Sequence, residues 1–138
     1  MSNFKFKQFE VAQDKTAMQI GTDGVLLGAW SDLVDSRNIL DIGCGTGLIC
    51  LMAAQRNPSS LITGIELEFN AFKQSTENCK KSKWNNRISI IHSSLQSFNS
   101  SSKFDLIISN PPFFSGSTES QNYERNLERN NHKLPINY

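Results

Sequence analysis

The run Asn38–Ile42 leads straight into Gly43-Cys44-Gly45-Thr46-Gly47, and residues 47–56 then carry apolar side chains at helical spacing. A short apolar segment, β-branched in part, reads as a buried strand. Three glycines at alternate positions let the backbone turn sharply and let a neighbour come close, because no Cβ intervenes. Leu48, Leu51, Met52 and Gln55 share one helical face, and Pro58 stops the helix. Strand, tight turn and helix in that order open a β-α-β unit. Such a unit commits the chain to a parallel sheet with helices laid on it.

The alternation continues downstream. Residues 61–65 form a second strand closed by Glu66. Residues 69–83 form an amphipathic helix whose Lys80, Lys81 and Lys83 suit the negative end of its dipole. Residues 87–92 make a third strand, 96–102 a serine-rich loop and 103–109 a fourth strand. The order β-α-β-α-β-x-β predicts an α/β fold with right-handed crossovers. Ahead of it, residues 4–11 alternate apolar and polar but slip at Gln8, as a strand with a bulge or turn does. Asp14-Lys15 reads as a turn and 17–20 as a return strand, and Thr22 with Asp23 caps a short apolar helix over 24–30. The expected division is a hairpin-and-helix extension over 1–35 and a sheet domain over 36–138.

After Phe114 the strand signal stops. Residues 115–122 are polar, and 123–133 read as a charged helix. There Arg125, Arg129 and Lys133 form one basic stripe among Glu124 and Glu128. That stripe is either a solvated face or a track for RNA phosphates. The fourth strand is then an uncovered edge, an expected place for self-association.

At 138 residues the chain makes one domain, able to bury roughly two thirds of its unfolded surface. No apolar run approaches the roughly 20 residues of a membrane helix, and the N-terminus lacks the apolar core of a signal peptide. A net charge of +1 neither demands nor bars a polyanionic partner. Three cysteines, Cys44, Cys50 and Cys79, form no C-x-x-C pair. His92 and His132 lie far apart. These features point away from a metal site and toward a reducing cytoplasm.

Two loops carry the chemistry. In a doubly wound sheet, ligands bind beyond the carboxyl ends of the strands where strand order reverses, which is where Gly43, Gly45 and Gly47 belong. Their G-x-G-x-G spacing differs from the G-x-G-x-x-G of nicotinamide enzymes. Asp41, just ahead, repels a pyrophosphate and suits a cofactor with an ammonium group. Glu66, about 20 residues on, is placed for ribose hydroxyls. A tight turn without a ligand and a dinucleotide site remain alternatives. Cys44 fits the loop by its small size, and no base stands near in sequence to activate it. The second loop is Asn110-Pro111-Pro112-Phe113. Two prolines stiffen it and leave carbonyls free. The Asn110 side-chain oxygen and the Pro111 carbonyl then make two acceptors for an exocyclic –NH2. Phe113 offers a flat face for a base. The competing reading is a rigid strand-ending turn with a core phenylalanine.

The Asn-Pro-Pro-Phe and glycine loops resemble those of class I S-adenosylmethionine-dependent methyltransferases with an N-P-P-[FY] motif, which modify amino groups. The run Phe6-Lys7-Gln8-Phe9, then Gln13-Asp14, Ala17-Met18 and Gly21-Thr22-Asp23-Gly24-Val25-Leu26-Leu27-Gly28-Ala29-Trp30, is more particular. It resembles the N-terminal part of bacterial methyltransferases acting on N6 of adenine 37 in tRNA1(Val). The resemblance implies a Rossmann-like sheet of seven strands, of which the last three lie beyond this sequence. It also implies S-adenosylmethionine as cofactor and tRNA as partner. Asp41, Gly43, Cys44, Gly45 and Gly47 would line the methionine end, Glu66 and Leu67 the ribose side, and Thr22 and Asp23 a segment closing over the cofactor. Ser94, with Leu95, stands where many relatives carry an acid for the cofactor's adenine. Asn110, Pro111 and Phe113 would hold the target base. A glutamine-amide or guanine-amine methyltransferase, and a non-catalytic piece binding cofactor or RNA, are the other readings.

Overall fold

The computed structural model describes residues 3–14, 21–33 and 35–110, apart from the side chains of Thr22, Asp23 and Leu26. The expected return strand over 17–20, the helix over 123–133 with its basic stripe, and Pro111 to Phe113 lie outside them.

Strands β1 (Asn3–Lys5) and β2 (Glu10–Ala12) pair antiparallel, with Phe4 opposite Val11. The Phe6 N–H donates to the Phe9 carbonyl at 2.8 Å and closes the turn between them. The slip at Gln8 is therefore the turn of a hairpin. Helix α1 (Thr22–Trp30) starts earlier than the sequence reading places it. Thr22 and Asp23 belong to its first turn, and the cap position falls on Gly21, with extended backbone and no side-chain cap bond. The cap assigned to Thr22 and Asp23 is thus corrected.

The main body follows as β3 (Asn38–Ile42), α2 (Leu48–Arg56), β4 (Leu61–Glu66), α3 (Phe69–Lys81), a 3-10 turn (Asn85–Arg87), β5 (Ile88–His92) and β6 (Leu106–Ser109). Four strands form one parallel sheet in the order β5-β4-β3-β6. The chain steps outward from β3 to β5, then returns to lay β6 on the far side of β3. Strand order reverses between β3 and β6.

Register explains the core. Leu106, Ile39, Ile62 and Ile88 align across the sheet, and Ile108, Asp41, Gly64 and Ile90 make the next row on that face. Ile39, Ile62 and Leu51 of α2 are essentially fully buried. Each such side chain stabilises the fold by roughly 1.5–3 kcal/mol. Gly64 permits the close approach of α2, since a Cβ there would stand 2.9 Å from both Cys50 Sγ and Ile90 Cδ1. Phe9 and Val11 of the hairpin and Leu33 join the same core cluster.

Polar side chains fix the ends of the elements. Arg87 donates to the carbonyls of Ala54 (2.7 Å), Asn57 (3.1 Å) and Ser60 (2.8 Å), placing its charge at the carboxyl end of α2. The Asp105 carboxylate accepts from the backbone N–H groups of Arg37 and Asn38, and these bonds hold it below the usual carboxylate range. The start of β6 is thereby pinned to β3. No helix among the described residues is long and apolar enough to cross a membrane.

Candidate functional site at the switch point

Parallel pairing puts Ile42 beside Ser109, so the glycine loop and Asn110 leave the sheet at the same rim. Ser109 Oγ also reaches the Ile42 carbonyl at 3.3 Å. The first turn of α1 lies over the end of β6, because a Cβ on Gly24 would stand 3.2 Å from Asn110 Nδ2. The rim therefore gathers the glycine loop, Asn110 and the helix start that carries Thr22 and Asp23.

The loop takes its shape from three positive φ angles, 68° at Gly43, 54° at Gly45 and 87° at Gly47. Side chains disfavour that region of backbone space. At Gly47 there is also crowding, since an added Cβ would meet Cys79 Sγ at 3.3 Å and Ser75 Cβ at 3.4 Å. At Gly43 and Gly45 the same Cβ meets nothing within 4 Å. Two bare stretches of backbone thus border open space. The N–H groups of Gly43 and Cys44 both donate to the Ile65 carbonyl, at 2.9 and 3.0 Å, and fold the loop over the tip of β4. Glu66 completes the frame. Its Oε1 accepts from Gly45 N–H and its Oε2 from Glu68 N–H, each at 2.9 Å.

Asp41 lies beneath the loop, only 1% exposed. Cys50 Sγ donates to its Oδ2 at 3.3 Å, while Oδ1 has no hydrogen-bond partner among the described residues. Burial pushes its pKa up to about 7; the Cys50 bond opposes the rise and the Glu66 charge adds to it. A buried carboxylate oxygen without a partner costs free energy, and it matches a donor or cationic group placed above it. The residues present therefore fit a cofactor carrying an ammonium group beside open glycine backbone.

Leu67 is 50% exposed at the tip of β4. Its carbonyl lies 2.9 Å from His92 Nε2. Ser93 N–H continues the ladder to the Glu66 carbonyl, so Ser94 and Leu95 leave β5 next to the β4 tip. Ser94 Oγ accepts from Ser97 N–H at 3.1 Å, and Leu95 is partly exposed. Cys44 is buried, 3.8 Å from Ser75 Oγ. The Cys50 thiol is raised by its hydrogen bond with Cys44 and by burial, and burial raises Cys79. Among the described residues no group of three or more His, Cys, Asp or Glu side chains is placed to hold a metal.

One residue of the site escaped the sequence reading. Asn78, 3% exposed on α3, accepts from Ala12 N–H and donates to the carbonyls of Ala12 and Thr46, at 2.8–2.9 Å. It ties β2 to the glycine loop. Nearby, Gln74 donates to Asp14 at 2.7 Å. A signal was present: Gln74, Ser75 and Asn78 are polar positions on the stripe that α3 shares with Ala71 and Cys79.

A family model, the methyltransferase small domain, matches residues 14–134. The chain belongs to that family. Two relatives show how strong the similarity in sequence is. The tRNA1(Val) (adenine(37)-N6)-methyltransferase of Glaesserella parasuis is 51% identical over 129 residues, covering 94% of this chain and 55% of that protein. That of Christiangramia forsetii is 49% identical over 143 residues, covering 99% and 60%. The chain thus spans somewhat over half the length of these relatives. In structure, the chain is similar to the Trypanosoma brucei PRMT1 enzyme–prozyme complex with AdoHcy, with TM-score 0.56 and 26% identity over 63% of this chain and 27% of that one. The YjhP protein of E. coli matches with TM-score 0.55 and 20% identity, over 66% and 37%. The expected Rossmann-like methyltransferase sheet is borne out.

Proposed function

We propose that this chain supplies the cofactor site and the target-amine loop of an S-adenosylmethionine-dependent tRNA methyltransferase acting on N6 of adenine 37 in tRNA1(Val). One observation supports it most: the open glycine backbone and Asn110 share one rim at the point of strand reversal. The names and identities of the relatives agree with it.

When bound, S-adenosylmethionine supplies a methyl group on an electrophilic sulfonium. The chain's own residues do the rest by placement. Asp41 Oδ1 offers negative charge under the loop, and Gly43 and Gly45 admit the ligand to the backbone. Glu66 would hold the ribose hydroxyls, exchanging or sharing its present bonds to Gly45 and Glu68. Leu67 and Leu95 give apolar contact at adjacent strand tips, with Ser94 beside them. Asn110 Oδ1 and the Pro111 carbonyl accept the two amine hydrogens and aim the nitrogen lone pair, while Phe113 stacks on the base. Thr22 and Asp23 belong to the segment that would close over the cofactor. No general base is required, because the proton leaves after attack; positioning and electrostatics carry the rate.

Calorimetry with S-adenosylhomocysteine against NAD tests the cofactor, and labelled-methyl transfer to unmodified tRNA tests the reaction. Tight binding of the former, and transfer that falls at least 100-fold in Asn110→Ala, are expected, since two positioned acceptors carry the amine. Absence of S-adenosylhomocysteine binding at millimolar concentration, or equal transfer by the variant, refutes the assignment.

A further inference from the structure

The hairpin and the carboxyl end of α3 enclose a cleft of about 370 Å³, lined among others by Gln8, Phe9, Glu10, Asn78, Lys81 and Lys83. Lys83 Nζ lies 3.4 Å from Gln8 Oε1 and 5.8 Å from the centre of the Trp84 ring. Lys5 and Lys7 stand on the hairpin side, Lys80, Lys81 and Lys83 on the helix side, and all five are exposed. Glu10, opposite Lys5 in the hairpin and bonded to Asn3, is the acid in the lining. Glu77, one turn back on α3, is half-buried. With a net charge of +1 for the whole chain, this corner is a local concentration of positive charge.

Aromatic rings back the cleft. Phe9, in its lining, meets Trp84 edge-on at 5.7 Å, and Lys83 lies over the Trp84 ring. Phe4 stands on the other face of the hairpin, because it pairs with Val11 while Asn3, Glu10 and Ala12 line the cleft. Ammonium groups around a cleft suit phosphates. Lysines alone would serve an acidic protein equally well; the RNA substrate proposed above is what favours nucleic acid. Helix α3 joins the two places, running from Phe69 beside the site rim to Lys81 at the cleft. At 1.5 Å per residue that is about 20 Å, a distance a folded RNA spans.

We infer that the cleft between the β1–β2 hairpin and the end of α3 is a docking surface for the RNA substrate. The lysines hold its backbone. This rests on the function proposed above and adds where, away from the reacting atoms, the RNA is gripped.

The test is binding of unmodified tRNA by the full chain across a salt series, with S-adenosylhomocysteine calorimetry on every variant. In K5Q/K7Q/K81Q/K83Q, affinity is expected to fall at least 10-fold and the slope of log K against log salt to become shallower by about 3. Cofactor-analogue binding should stay at the wild-type level in the variant. If wild type binds and methylates tRNA while the lysine variant keeps its affinity and slope, the docking surface is wrong and the proposed function stands. If polyglutamate displaces tRNA as well as unlabelled tRNA does, the surface is for acidic polypeptides. A wild-type chain that binds no tRNA overturns both readings.

Discussion

Asp41 occupies a position where register calls for an apolar side chain, in a row with Ile108, Gly64 and Ile90 beneath α2. The folded chain holds its proton more tightly than the unfolded chain, whose aspartate titrates near 3.9. Stability therefore falls as pH rises from about 4 to about 7, by up to about 1.4 kcal/mol per pH unit, and levels off above. Asp41→Asn should flatten that dependence, so that the variant gains on wild type as pH climbs through this window. Urea denaturation at pH 5, 6, 7 and 8 checks it, and parallel profiles for the two proteins would show that Asp41 is not the group responsible. Sequence alone singled out Asp41 because a carboxylate between strand and glycine loop is chemically odd. Its depth was not legible, since a strand end adjoining a loop reads equally well as exposed or covered until α2 is placed over it.

At the scale of elements, Asn78 connects three parts of the chain far apart in sequence. Asn78→Ala strands the N–H and carbonyl of Ala12 and the carbonyl of Thr46. A loss of about 2–4 kcal/mol follows for groups left buried without partners. Asn78→Asp should not recover it, because a carboxylate cannot donate to two carbonyls. Thermal melts measure the loss. Calorimetry with S-adenosylhomocysteine should show weaker binding in excess of the unfolded fraction, because Thr46 belongs to the glycine loop. The strands and helices of the main body were readable from periodicity, β3 to the residue. The hairpin was readable only as a slip at Gln8, since one broken alternation fits a bulge or a turn. The start of α1 was misplaced because Thr22 and Asp23 are strong capping residues, whereas the chain uses Gly21, which leaves no side-chain signal.

For the whole molecule, the extension and the sheet share one core. Val11 is fully buried and Phe9 nearly so, in the cluster that includes Ile39, Ile49 and Ile62. Val11→Ala should therefore cost about 2 kcal/mol and lower the midpoint of a single cooperative transition. Differential scanning calorimetry decides it; two separate heat-absorption peaks, with only one moved by the substitution, would mean that the extension melts independently. Such sharing could not be read from the sequence, because Phe9 and Val11 find their neighbours only after α3 and Trp84 have been placed. The glycine-loop rim, by contrast, was legible, because loop chemistry acts locally and the strands of one parallel sheet all end at the same rim.

All three thiols lie under or beside the glycine loop: Cys44 within it, Cys50 against Asp41, and Cys79 against Gly47. An alkylating reagent can meet them only after the loop has lifted from α2 and α3. The rate of labelling is then a clock for local opening, native to the chain and needing no engineered probe. Whatever settles on the loop from solution should slow that clock.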